Sequence, residues 1–348
     1  MKKIRILSLD GGGIRGVITA TIIEHIENKL KEISNNSGAR ISDYFDMIVG
    51  TSTGGILSCI YLTPDKNNKA KYSASQALEF YSGLGYKIFN ASKYRGMSFR
   101  KLFNATMYNQ KKIESIFKIY FNDLKMHELI KPCIVTTYDL KRKSSFFFNS
   151  RENSSKEREF YVKDVVRSTS AAPTYFQPAK IKNLVNGTVM INIDGGVFAN
   201  NPAMCAFTEC SKTKFNKNSE YPKIDDMIIL SIGTGGGEPE LPKSNILSWG
   251  IVGWAKSIPS IMMDGSIDTV HYQMKKIFES MSCDCKNYKR IDVPRSGKDY
   301  TRKYNNDMGD ASKKNINDLK QAGKDAIKFA LIGNDEEYGL NEFLKLLI

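Results

Sequence analysis

The stretch from Met47 to Ile60, MIVGTSTGGILSCI, constrains this chain more than any other. An apolar, β-branched run (Ile48, Val49) meets Gly50-Thr51-Ser52-Thr53-Gly54 and then a second apolar run, the pattern of a strand-to-helix turn with a serine at its apex. An elbow that lifts a serine hydroxyl out of a sheet leaves no room for a Cβ at Gly50 or Gly54, which gives both glycines a steric reason. Ser52 is the candidate nucleophile. The pentapeptide alone is only moderately specific, because glycine and serine also build ordinary turns.

Residues 3–9 (KIRILSL) alternate basic and apolar side chains before Asp10, so they read as a first strand feeding a loop. The loop is Asp10-Gly11-Gly12-Gly13-Ile14-Arg15-Gly16, and residues 17–33 follow as an amphipathic helix with Ile22, Ile23, Ile26 and Leu30 at helical spacing. Gly11, Gly13 and Gly16 formally satisfy G-x-G-x-x-G, which raises a dinucleotide-binding alternative. Two features oppose it. The next strand ends at Gly50 and not at an acidic residue for a ribose hydroxyl, and Asp10 at the loop mouth would repel a pyrophosphate. The stronger use of three consecutive glycines is to aim backbone N–H groups at a developing negative charge, as an oxyanion hole requires. Each such donor is worth about 3 to 4 kcal/mol when removed.

Further along, residues 75–89 and 111–121 read as amphipathic helices. Between them residues 91–109, rich in basic and aromatic side chains, suit either a lid over the site or a surface connection. Residues 132–140 (PCIVTTYDL) are strongly β-like, and 144–149 (SSFFFN) pair with them after a Lys-Arg-Lys turn. A short apolar strand, 190–193, delivers Asp194-Gly195-Gly196. An isolated Asp-Gly-Gly is usually a turn. At the end of a buried strand, in a chain that already offers Ser52 and a donor loop, Asp194 becomes the second candidate catalytic residue.

With 348 residues the chain has ample length for a buried core. The six cysteines have no regular spacing and read as reduced core thiols; Cys283-x-Cys285 lacks a second ligand pair for zinc. Basic residues open the N-terminus, but its apolar run is cut by Arg5 and Asp10, too short for a signal peptide, and no segment offers the roughly 20 apolar residues of a membrane span. An intracellular protein is expected. The net charge of +14 suits a nucleic acid or an anionic membrane surface, or merely a lysine-rich solvated surface, since the basic residues are spread along the chain. Residues 246–263 (ILSWGIVGWAKSIPSIMM) hold Trp249 and Trp254 in an apolar, proline-broken helix that suits core packing, a bilayer interface or an acyl channel. No linker or repeat divides the chain, so one α/β domain with helical additions is the simplest architecture.

Together, the loop from Asp10 to Gly16 (DGGGIRG), the elbow from Gly50 to Gly54 (GTSTG) and Asp194-Gly195-Gly196 resemble the patatin-like phospholipase family. Residues 168–176 and Asn200-Asn201-Pro202 are similar to further family blocks. The resemblance implies a three-layer α/β/α fold with a mostly parallel central sheet, a catalytic core over residues 3–237, and a helical extension over 238–348 packed on the same domain. The family's nucleophile falls on Ser52 and its catalytic aspartate on Asp194. Its oxyanion donors fall on Gly11, Gly12 and Gly13 with the loop arginine Arg15, supported by Gly16, Gly50, Gly54, Gly195 and Gly196.

The resemblance further implies a lipid acyl hydrolase of phospholipase A type with a Ser-Asp dyad, no catalytic histidine, no metal and no cofactor. Its substrate surface would be the phospholipid membrane, with the enzyme cytoplasmic and peripheral at the inner face when active; nucleic acid is not an expected partner. A runner-up is a nucleotide-binding protein, or a lipase switched on by a cyclic-nucleotide activator, although no stretch marks such a site. Oligomeric state is open, a homodimer included. Ser52, Asp194 and His271 also follow the chain order of an α/β-hydrolase triad. The segment before Ser52 has room for only two strands, however, and His271, like His25 and His127, sits in a helical context.

Overall fold

Five apolar or small residues and one arginine, IRILSL, form β1 (Ile4–Leu9), which hydrogen-bonds in parallel to β2 (Met47–Thr51) on one side and β7 (Met227–Ile232) on the other. A strand covered on both faces needs this near-continuous apolar run. The structure, a computed structural model, describes residues 3–89, 107–151, 158–215, 220–235, 250–281, 285–294, 302–305, 307–332 and 339–348.

Parallel neighbours require crossovers, and helices supply them. α1 (Gly16–Ile33) joins β1 to β2; α2 (Thr53–Leu62), α3 (Ala74–Phe89) and α4 (Gln110–Phe121) lead from β2 to β3 (Cys133–Asp139), which pairs in parallel with β2. β4 (Ser144–Asn149) returns as a hairpin on β3. After α5 (Val162–Thr169), β5 (Ala179–Lys182) and β6 (Val189–Asp194) add an antiparallel edge. α6 (Ala203–Cys210) precedes β7, and α7 (Ile251–Met281) crosses to β8 (Tyr288–Ile291), parallel to β7. α8 (Lys313–Ile332) and α9 (Leu340–Lys345) close the chain. The sheet order is β5-β6-β3-β2-β1-β7-β8, with β4 on the other edge of β3.

Alternation along the strands divides the core between two helical layers. Leu7, Leu9, Leu230 and Ile232 pack with α1 to α5, α8 and α9, whereas Ile6, Val49, Met227 and Ile229 pack with Ala203, Ala206 and Cys210 of α6 and Met274 and Phe278 of α7. The mostly parallel three-layer fold expected from the sequence is thus present.

Three local points stand apart from the sequence reading. The helix expected to break at Pro259 runs on through it as part of α7. One proline removes a single rung from a helix of 31 residues, and the remaining rungs carry it through. β5, whose AKIK is too short and too lysine-rich to announce itself, is made by pairing with β6. Residues 91–109, which suit either a lid or a surface connection, lie outside the described residues up to 106, as does Trp249.

Candidate active site

Ser52 stands between the last residue of β2 and the first of α2, with φ 53° and ψ −119°. A side chain is strained at positive φ, and the surroundings must hold it there. They do so by close approach: a Cβ on Gly50 would lie 2.3 Å from the Gly54 carbonyl carbon, and one on Gly54 would lie 2.1 Å from the Leu9 carbonyl oxygen. Ser52 N–H donates to Thr169 Oγ1 at 2.8 Å, and Thr53 hydrogen-bonds the Tyr81 hydroxyl of α3. The elbow also sits at the N-terminus of α2, where the helix dipole favours negative charge.

Asp194 closes β6. Its Oδ2 accepts a hydrogen bond from Ser52 Oγ at 2.6 Å and its Oδ1 accepts from Gly196 N–H at 2.7 Å, so both carboxylate oxygens are held. Gly195 and Gly196 form the turn that makes the second bond available. Burial pushes the Asp194 carboxyl up to about 7, against the lowering effect of these two bonds. A carboxylate near 7 is matched to a general base working at neutral pH.

The glycine loop lies on the other side of Ser52. Gly11 N–H is already engaged by the Asn200 carbonyl at 3.0 Å, and a Cβ on Gly11 would collide with Asn200 Oδ1 at 2.2 Å. Gly11 is therefore a spacer that lets this loop and the Asn200 segment touch. The N–H groups of Gly12 and Gly13 make no hydrogen bond to another described residue, and both glycines line the cavity beside Ser52. Arg15 departs from its expected place. It is buried, its Nη1 reaches back to the Gly235 carbonyl at 3.4 Å, and it is absent from the described cavity wall. Gly16 opens α1 behind it.

Asp10, expected at the loop mouth, is instead fully buried in an ion pair. Arg290 Nη2 contacts Asp10 Oδ2 at 2.6 Å and Asp292 Oδ2 at 2.7 Å, while Nη1 donates to Ser231 Oγ at 2.8 Å. Burial alone would lower the Arg290 pKa; the two carboxylates outweigh it and hold the guanidinium charged. Asp292 Oδ1 also accepts from Gly235 N–H at 2.8 Å, and Thr234 Oγ1 donates to the Gly11 carbonyl at 2.7 Å. The loop after β7 is thereby clamped under the first glycine loop. No sequence signal tied Arg290 to this network, because Asp10 stands 280 positions away and Ser231 59 positions away.

The three histidines stand elsewhere. His271 Nδ1 bonds the Tyr288 hydroxyl at 3.1 Å, His127 pairs with Glu159, and His25 lies on α1. None is part of the described wall around Ser52, which leaves the Ser-His-Asp alternative without its base.

Ser52 and Asp194 open into a cavity of about 700 Å³ whose wall is largely apolar, including Ile56, Phe80, Ile113, Phe117, Ile258 and Met263. That volume is within the range of sites for small organic ligands. No described helix is long and apolar enough to cross a membrane.

A family model described as patatin-like phospholipase matches residues 7–207. Patatin-like protein 1 of Arabidopsis thaliana is 31% identical, covering 92% of this chain and 80% of its own length. Patatin-16 of Solanum tuberosum is also 31% identical, over 99% of this chain and 89% of its own. Among solved structures, VipD from Legionella pneumophila aligns with a TM-score of 0.37 at 11% identity, over 98% of this chain and 71% of that one. The family match spans more than half of the chain and the plant relatives nearly all of it, so this chain belongs to the patatin-like phospholipase family and is a lipid acyl hydrolase.

Proposed function

We propose that the chain is a phospholipase A-type hydrolase that cleaves fatty-acyl esters of membrane phospholipids with Ser52 as nucleophile and Asp194 as its base. The observation that carries this reading is the 2.6 Å hydrogen bond from Ser52 Oγ to Asp194 Oδ2 at the edge of an apolar cavity. Asp194 takes the serine proton as Oγ attacks the ester carbonyl. The negative charge that develops on the carbonyl oxygen is met by the amides of Gly12 and Gly13 and by the positive end of α2. Collapse of the tetrahedral intermediate breaks the ester bond, and Asp194 returns its proton to the departing alkoxide. Water then attacks the acyl-serine and gives one proton to Asp194; collapse of the second tetrahedral intermediate breaks the bond to Ser52 Oγ, which takes that proton back from Asp194 as the fatty acid leaves.

A membrane surface as the working environment draws support from the mouth of the cavity. Trp254, Ile258, Ile261 and Met262 form one exposed apolar face of α7, and Ile258 and Met262 also line the cavity. The net charge of +14 adds about 1 kcal/mol for each lysine or arginine brought near anionic lipid.

The test is fatty-acid release from mixed phospholipid vesicles by the wild type, Ser52→Ala and Asp194→Asn. Both variants should lose on the order of 10⁴-fold or more in turnover while remaining folded. Sustained release by Ser52→Ala would sink the mechanism.

A further inference from the structure

Exposure sorts the cavity wall into a mouth and an inner end. Met107, Val197, Ile258 and Met262 are between 37% and 60% exposed, whereas Phe80, Ile88, Ile113 and Phe117 are at most 9% exposed. The inner end is therefore built by α3 and α4. Behind it a second recess of about 340 Å³ is lined by Ile60, Tyr72, Gln76, Glu79, Gly83 and Tyr120. Among the described residues, Phe80 alone lines both spaces. Its ring packs edge-to-face on Tyr120, which lines the recess.

We propose that Phe80 gauges acyl-chain length: its ring stops the methyl end of the chain whose ester is held at Ser52, and turnover falls once the chain outgrows that distance. The inference rests on the reading of Ser52 as nucleophile and of the cavity as the acyl site. Two features make Phe80 suited to the role. It lies on α3, and the next residue, Tyr81, ties that helix to Thr53 beside the nucleophile, so the distance from Ser52 to the ring is set by a rigid connection. Close packing in the interior also means that a chain one methylene too long cannot be absorbed by compression. Truncating the ring would join the recess to the cavity and supply the missing length.

The gauge is tested by measuring kcat/KM for fatty-acid release from phosphatidylcholines of graded chain length, presented in mixed micelles, for the wild type, Phe80→Ala, Phe80→Trp and Phe80→Ala/Gly83→Leu. Ser52→Ala is assayed in parallel. Phe80→Ala should raise the ratio of long-chain to short-chain kcat/KM by about tenfold, and Phe80→Trp should lower it, because a methylene in an apolar pocket is worth about 10- to 200-fold. Gly83 also lines the recess, and a Cβ added there meets no atom within 4 Å, so the leucine side chain of the double variant fills the recess and should restore the wild-type ratio. A length profile that superposes on that of the wild type in folded Phe80→Ala overturns the gauge. Should Phe80→Ala not fold, an unchanged profile in Phe80→Trp overturns it equally. Release that persists in Ser52→Ala overturns the nucleophile reading on which the gauge rests, and is told apart because it leaves the ratios of the Phe80 variants untouched.

Discussion

Thr51 and Asp194 occupy consecutive rungs on one edge of β3: Thr51 pairs with Thr136 and Asp194 with Thr137. β4 occupies the opposite edge, so β2 and β6 share this one. β2 runs parallel to β3 and β6 antiparallel, which points the two strands at each other and brings their ends together. Ser52, one residue beyond Thr51, thus meets a carboxylate 142 positions away in sequence. The Thr51 and Thr136 hydroxyls, 2.7 Å apart, and the bond from Thr51 Oγ1 to the Ala199 carbonyl at 2.6 Å lock this junction.

The pH dependence of turnover should report Asp194. Its burial raises the carboxyl to about 7, and in the proposed role of base it works only when deprotonated. The logarithm of kcat/KM should rise with unit slope up to about pH 7 and level off above it, measured on a substrate that does not itself titrate. A profile flat from pH 5 to 8 would falsify the assignment.

Stability should change in the opposite sense. Folded Asp194 holds its proton up to about 7, whereas an unfolded aspartate releases it near 4. Between those values the native state binds the extra proton, so stability falls as pH rises from about 4 to about 7. Asp194→Asn should remove that contribution and be more stable than the wild type at pH 8 by a few kcal/mol, measured by urea unfolding.

Arg290→Gln should destabilise the fold by about 3 to 5 kcal/mol, because it leaves Asp10, which is fully buried, without its counter-charge. Adding Asp10→Asn should recover part of the loss. Equal midpoints for single and double variants in chemical denaturation would show that the pair is not coupled.

Thr169→Val keeps the side-chain shape but removes the acceptor for Ser52 N–H. An orphaned buried donor costs about 1 to 3 kcal/mol, and here it loosens the strained elbow itself. The expected result is a lower unfolding midpoint together with a drop in kcat that exceeds any change in KM.

Trp254→Glu/Ile261→Glu places charge on the apolar face of α7 without touching the described cavity wall. Release from vesicles should fall about tenfold or more, while hydrolysis of a soluble short-chain ester changes little. Parallel losses on both substrates would remove α7 as the membrane contact.

Much of this was legible in the chain alone, and for a common reason. The Ser52 elbow and the glycine loop are short glycine-rich motifs at the ends of apolar strands, Asp194 gains its weight from sharing a chain with both, and the apolar periods of β1, β2, α1 and α2 announce buried elements locally. What only the tertiary structure decided depends on groups far apart in sequence. Gly11 reads like its neighbours until Asn200 arrives to take its N–H, and Arg15 reads as a site residue until the Gly235 carbonyl draws it under the loop. Asp10 looks like an open acid until Arg290, 280 positions on, covers it. Phe80 is one apolar residue among many on α3, and stands out only because two cavities share it as a lining residue. Hydrophobic pattern and backbone sterics are written in neighbouring residues; the partner of a particular hydrogen bond or the far side of a particular ring is set by how distant elements pack.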